Sequence, residues 1–134
     1  MNRRNFIKTS GKITLATGAL AVSGQSAIHE PMSDKFVHHV FFWLKEPAND
    51  QQNELFQKAL HELVTIDSIQ HYHLGIPAET RREVIDSTYH YSLLTIFEDK
   101  AAHDNYQVHP VHDSFRKVAG DLCSRVVVYD SVDF

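Results

Sequence analysis

The sequence predicts an α+β fold: one four-stranded sheet with helices packed on one side, in the order βαββααβ. Three observations lead there. Four segments rich in β-branched and aromatic residues are separated by helix-like segments and one long polar loop. The first helical segment carries a single apolar stripe. Two further helical segments meet at a His-Pro junction just before the last strand.

The elements follow in order. "KFVHHVFFWLK" (Lys35 to Lys45) alternates with period two and reads as a strand. One face carries Val37, His39, Phe41 and Trp43, the other His38, Val40, Phe42 and Leu44. Both are largely apolar, so both should be covered. The first set is expected to lie under helices. The second, Val40, Phe42 and Leu44, is expected against the sheet of another chain. Pro47, Asn49 and Asp50 then open a helix. Its stripe is Leu55, Phe56, Ala59, Leu60, Leu63 and Val64. Ser68 to Ile76 is a second strand, Pro77 to Tyr89 a polar loop, and Tyr89 to Glu98 a third strand. Asp99 caps a short helix. Pro110 opens another, with Gly120 near its end. Ser124 to Phe134 is the last strand. This order fits a ferredoxin-like sheet with helices on one face, leaving the other face to a second copy of the chain.

The N-terminal segment stands apart. Arg3, Arg4, Lys8 and Lys12 are its charged residues, and no acid appears before Glu30. A modest apolar stretch and a run of small residues follow, the plan of an export signal. "RRNFIK" resembles a twin-arginine signal. Residues 1–27 are therefore expected to be a cleavable signal, 28–34 a linker, and 35–134 the folded domain. The expected location is periplasmic or secreted, with no stable membrane anchor after cleavage. No run of 18 apolar residues forms a standard span. Without the signal, nine basic residues face 17 acidic ones, a net charge near −8 with histidines neutral. That balance argues against a nucleic-acid partner. The single cysteine, Cys123, has no intrachain partner and is expected to be buried.

The stretch "NYQVHPVHDSF" carries the chemistry. His109 precedes a proline and should break the helix, and Pro110 suits the first position of the next one. His112 then falls in that helix's first turn, where the positive helix end and burial both keep imidazole neutral. A neutral histidine can serve as a general base. Tyr106, one turn before the break, can donate to a carbonyl or enolate oxygen. His109 and Phe115 read better as structural. For a metal, His71 and His73 alternate on one strand face, but no HExxH, cysteine pair or carboxylate set stands at ligand spacing. No metal site and no cofactor are expected.

At this point the chain resembles the stress-responsive A/B barrel family, also called Dabb, whose members are dimeric α+β barrels. The resemblance rests on "HHVFFWLK", on "FEDKAAHDNY", and on "Y-x-x-HP-x-H-x-x-F" (Tyr106, His109, Pro110, His112, Phe115). It implies a dimeric α/β barrel, a homodimer, and a pocket between helices and sheet for a small apolar or aromatic molecule. Most members have no assigned activity. A plant member, olivetolic acid cyclase, closes a polyketide by aldol chemistry. By similarity to it, His39, Tyr106 and His112 correspond to catalytic positions. Tyr91, or its neighbour His90, stands where that relative has a histidine, and Ala59 where it has a tyrosine. The implied pocket is His39, Tyr91, Tyr106 and His112. The expected role is small-molecule binding; the alternatives are a cofactor-free cyclase, isomerase or lyase, and a histidine-based metal binder.

Overall fold

The computed structural model describes Gly24 and residues 28–134. The expected signal, 1–27, otherwise lies outside the described residues. Residues Pro31–Phe134 form one compact unit. Its elements are β1 (Phe36–Leu44), α1 (Asp50–Leu63), β2 (Ile69–Gly75), β3 (Tyr91–Phe97), α2 (Lys100–Gln107), α3 (Pro110–Leu122) and β4 (Cys123–Ser131). The strands pair antiparallel in the order β2-β3-β1-β4. This is the expected ferredoxin-like βαββααβ arrangement. Among the described residues, no helix is long and apolar enough to cross a membrane.

The helix starts follow from their capping residues. Asn49 accepts a hydrogen bond from the Gln52 backbone N–H at 3.1 Å, and Asp99 from that of Ala102 at 2.8 Å. Each satisfies one of the free donors at a helix N-terminus. His109 caps α3 in the same way, its Nδ1 accepting from Val111 N–H at 3.1 Å. Pro110 stands at the first helical position, where a missing N–H costs nothing. α1 buries Phe56, Ala59, Leu60 and Leu63. Leu55, expected in that stripe, is half exposed at its edge.

The first strand corrects one expectation. The face under the helices holds Phe36, His38, Val40, Phe42 and Leu44, all buried. Phe42 is the centre of a three-ring cluster. Its ring lies 5.1 Å from Phe56 of α1 and 5.7 Å from Phe115 of α3, with these two 5.8 Å apart. Val40, Phe42 and Leu44 are therefore core residues beneath the helices, and do not form the sheet's open face. Alternation alone cannot choose between two apolar faces. Phe36, one step further back, lengthens the second set and gives it the larger volume to bury.

The open face holds Val37, His39, Phe41 and Trp43, each partly buried. Strand register adds Leu94 and Ile96 of β3 and Val127 and Tyr129 of β4 to it. The loop after β2 comes over one end. Trp43 Nε1 donates to Thr88 Oγ1 at 3.0 Å, and the Tyr89 ring meets Phe41 edge to face at 4.9 Å. The Arg125 guanidinium stacks 4.4 Å from the Trp43 ring centre. Cys123, where α3 meets β4, is buried as expected, and burial pushes its thiol up to about 11.

Candidate functional site

A cleft of about 440 Å³ opens between β1, the α2–α3 junction and the start of β4. Five aromatic rings line it. Phe42 and Phe115 give apolar walls, while His38, Tyr106 and His112 bring polar atoms, and Arg116 adds a positive charge. The His-Pro break creates this grouping. Tyr106 is in the last turn of α2, and His112 is in the first turn of α3. The break turns the chain between them so that their rings meet edge to face, with centroids 4.6 Å apart.

Burial sets the protonation of each group. Tyr106 is 1% exposed, and desolvation pushes its phenol well above the usual range, against a smaller pull from Arg116. It is a hydroxyl donor at any physiological pH. His112 is held down to about 4 by burial, helped by the Arg116 charge. Its buried Nδ1 has no hydrogen-bond partner. His38 is lowered by burial, which outweighs the opposing pull of Asp130. Its Nδ1 donates to Asp130 Oδ1 at 2.6 Å, which fixes the tautomer with Nε2 as the acceptor. The cleft thus combines neutral imidazoles, one protonated phenol and aromatic walls. Such a set can hold an oxygen-bearing aromatic molecule and can move a proton near it.

The expected site residues divide. Tyr106 and His112 stand together in the cleft. His39 does not join them. Strand alternation turns it to the open face, where its ring lies 4.3 Å from Phe41. There burial and nearby His73 lower its pKa. His38, the other half of the His-His pair, occupies the place His39 was expected to fill. Its ring lies 5.7 Å from that of Tyr106. Tyr91 is buried, but it lines a separate hollow of about 230 Å³ with Gln57, Leu60 and Leu74. Its hydroxyl donates to Asn53 Oδ1 at 2.7 Å and accepts from Gln57 Nε2 at 2.8 Å. It ties β3 to α1. His90 accepts from the Leu44 backbone N–H at 2.8 Å.

Sequence reasoning missed two further residues, His103 and Asp130. His103 lies one helical turn before Tyr106, its ring 4.9 Å from that of His38. Asp130 pairs with His38 across β1 and β4. Among the described residues, His38, His103 and Asp130 form the one group of three or more whose ligating atoms lie close enough for a metal ion, all within 4.8 Å. His71 and His73 gather no such third ligand among the described residues. The i, i+3 spacing of His103 and Tyr106 was the available signal.

Fold and cleft together define a ferredoxin-like domain with a histidine- and tyrosine-lined cavity between helices and sheet. The family model for the stress responsive A/B barrel domain, Dabb, matches residues 36–133, and the chain belongs to that family. Among solved structures, it is similar to a Dabb family protein with a ferredoxin-like fold from Mesorhizobium loti. That protein is 25% identical, with a TM-score of 0.63, the match covering 75% of this chain and 97% of that one. A dimeric ferredoxin-like protein of unknown function from Thermobifida fusca is 17% identical, with a TM-score of 0.62 over 79% of this chain and 100% of that one. The hydroxynitrile lyase of Passiflora edulis is 18% identical, with a TM-score of 0.62 over 75% and 94%. The last two likenesses concern the fold. No curated protein matches the chain by sequence.

Proposed function

We propose that the cleft binds a small aromatic or apolar molecule carrying an oxygen acceptor, and that the protein works as an exported homodimer in a stress-associated role. One observation carries the binding reading. His112 Nδ1 is buried in an apolar cleft without a partner, beside the buried phenol of Tyr106. An unpaired buried polar atom costs about 1–3 kcal/mol. A ligand with a polar atom at this point offsets that cost, while its ring packs on Phe42 and Phe115.

The dimer reading rests on the open face, where Phe41, Leu94 and Val127 would otherwise remain partly wet. The Thermobifida fusca protein, described as dimeric, shares the fold. The export reading rests on Arg3, Arg4, Phe6 and Lys8. Changing both arginines to lysine should retain the protein in the cytoplasm; normal processing of that variant would contradict it.

A second reading is favoured by the neutral state of His112. With Tyr106 polarising a carbonyl and His112 taking a proton, the cleft would run cofactor-free cyclase, isomerase or lyase chemistry. His38, oriented by Asp130, is the further base in reach. The Passiflora edulis neighbour is a lyase.

The binding reading is tested on protein purified without added ligand from its own source. Denaturation and mass spectrometry should release a small aromatic or apolar compound. The same compound should be depleted in Tyr106→Phe and His112→Ala proteins. Equal recovery from all three would contradict the site.

A further inference from the structure

Three side chains from three elements converge beside the cleft: His38 of β1, His103 of α2 and Asp130 of β4. Their ligating atoms lie within 4.8 Å of one another. Both histidines are buried, and Asp130 is on the exposed edge strand. We propose that His38, His103 and Asp130 hold one divalent transition ion of the zinc class.

The donor set is chemically apt. Two imidazoles and one carboxylate suit zinc and its neighbours, and three protein ligands leave a fourth position for water or a bound molecule. His38 lines the cleft as well as belonging to the triad, so the ion would stand next to whatever the cleft holds.

Two observations favour an ion over a simple hydrogen-bonded cluster. The first is His103 Nδ1, which is buried and has no partner within hydrogen-bond distance, Asp104 Oδ1 standing off at 3.6 Å. The second is the support behind that ring. His103 Nε2 lies 3.1 Å from Gln107 Nε2, and Gln107 Oε1 accepts from Arg116 Nη2 at 2.8 Å. Ligand imidazoles ordinarily donate their outer N–H to an acceptor, a role the Gln107 amide can take only through its oxygen.

The protons must balance. Without an ion, the Gln107 amide donates to Nε2, so the His103 proton sits on Nδ1. Binding through Nδ1 moves that proton to Nε2. Gln107 must then turn its oxygen toward the ring and release Arg116. The His38 to Asp130 contact also changes. Its 2.6 Å is a hydrogen-bond distance. Two ligands on one tetrahedral zinc stand about 3.3–3.5 Å apart, from ligand distances of about 2.0–2.2 Å. The ion replaces the proton of that hydrogen bond, and Asp130 moves back by somewhat under about 1 Å. Its exposed position allows this. The displaced proton moves to His38 Nε2, as on His103, so that each ligand imidazole stays neutral.

The test uses the full chain, stripped with chelator and titrated with Zn²⁺ by calorimetry and with Co²⁺ by its visible spectrum. One ion per chain is expected, with affinity reduced at least tenfold in both Asp130→Asn and His103→Gln. Gln107→Glu places a permanent acceptor behind His103 and should tighten binding. His71→Gln/His73→Gln should bind like wild type. The proposal is overturned by no binding at micromolar ion, by unchanged affinity in Asp130→Asn, or by loss of binding in the His71/His73 double variant. Because Asp130 is exposed, Asp130→Asn is expected to fold, and a melt checks it. Acetophenone titration of ion-free wild type reports on the cleft separately, so failure of the ion site leaves the binding reading standing, and the reverse.

Discussion

The ring of Tyr106 and the imidazole of His112 meet edge to face, 4.6 Å between centroids and 78° between planes. They belong to different helices, and only the break at His109 and Pro110 brings them together. The pair is both a packed contact inside the domain and the polar lining of the cleft. Melting and affinity, measured on the same variants, separate those two roles.

Acid should weaken the fold through His112. Its pKa in the folded protein is about 4, below the ordinary 6.5, because burial disfavours the cation. The unfolded chain therefore binds more protons between about 6.5 and about 4. The stability this group contributes is complete above the upper value and lost as pH falls through that window. His38 is shifted in the same direction. The full His112 effect is of order 3 kcal/mol. Urea melts across this range should show His112→Asn with a flatter pH dependence than wild type. Parallel curves would contradict the assignment.

Phe42 should behave as core. Phe42→Ala removes the centre of the Phe42, Phe56 and Phe115 cluster and should cost about 3–5 kcal/mol. Denaturant melts measure this. A loss below about 1 kcal/mol would mean that the cluster is not closely packed.

Phe41 should behave as interface. Its ring lies on the open sheet face between His39, Tyr89 and Tyr129. Phe41→Glu should shift sedimentation from dimer to monomer while far-ultraviolet circular dichroism stays native. A wild-type monomer at micromolar concentration would remove the dimer reading.

The helix junction should be separable from the cleft. Pro110→Gly loosens the start of α3 and should cost of order 1 kcal/mol through unfolded-state entropy. Affinity per folded molecule should change little. A large affinity loss with unchanged melting would assign Pro110 to the ligand site instead.

The element order was readable in the sequence because each start carries its own local signal: Asn49, Asp99 and the His109-Pro110 pair are caps whose chemistry acts within three residues. The face of β1 was not readable. Its two residue sets are nearly equal in apolarity, and the choice depends on how Phe56 and Phe115 arrive from elements far along the chain. That ambiguity, together with the correspondence to the plant relative, put His39 in the expected pocket and left His38 out. Tyr106 and His112 were legible because a short motif sets both their spacing and the break between them. Asp130 was not, since its meeting with His38 depends on strand register across 92 residues. Tyr91 was assigned to the pocket by resemblance, and its hydroxyl is taken up by Asn53 and Gln57.

The central claim is that Tyr106 and His112 form a ligand site and not only a packed pair. Calorimetric titration of acetophenone, a small aromatic ketone whose oxygen can accept from Tyr106, into wild type, Tyr106→Phe and His112→Ala tests it most directly when each protein is also melted. The account predicts that Tyr106→Phe melts within about 1 kcal/mol of wild type, and that both variants bind several-fold more weakly per folded molecule. Both variants melting far below wild type with affinity per folded molecule unchanged would contradict it.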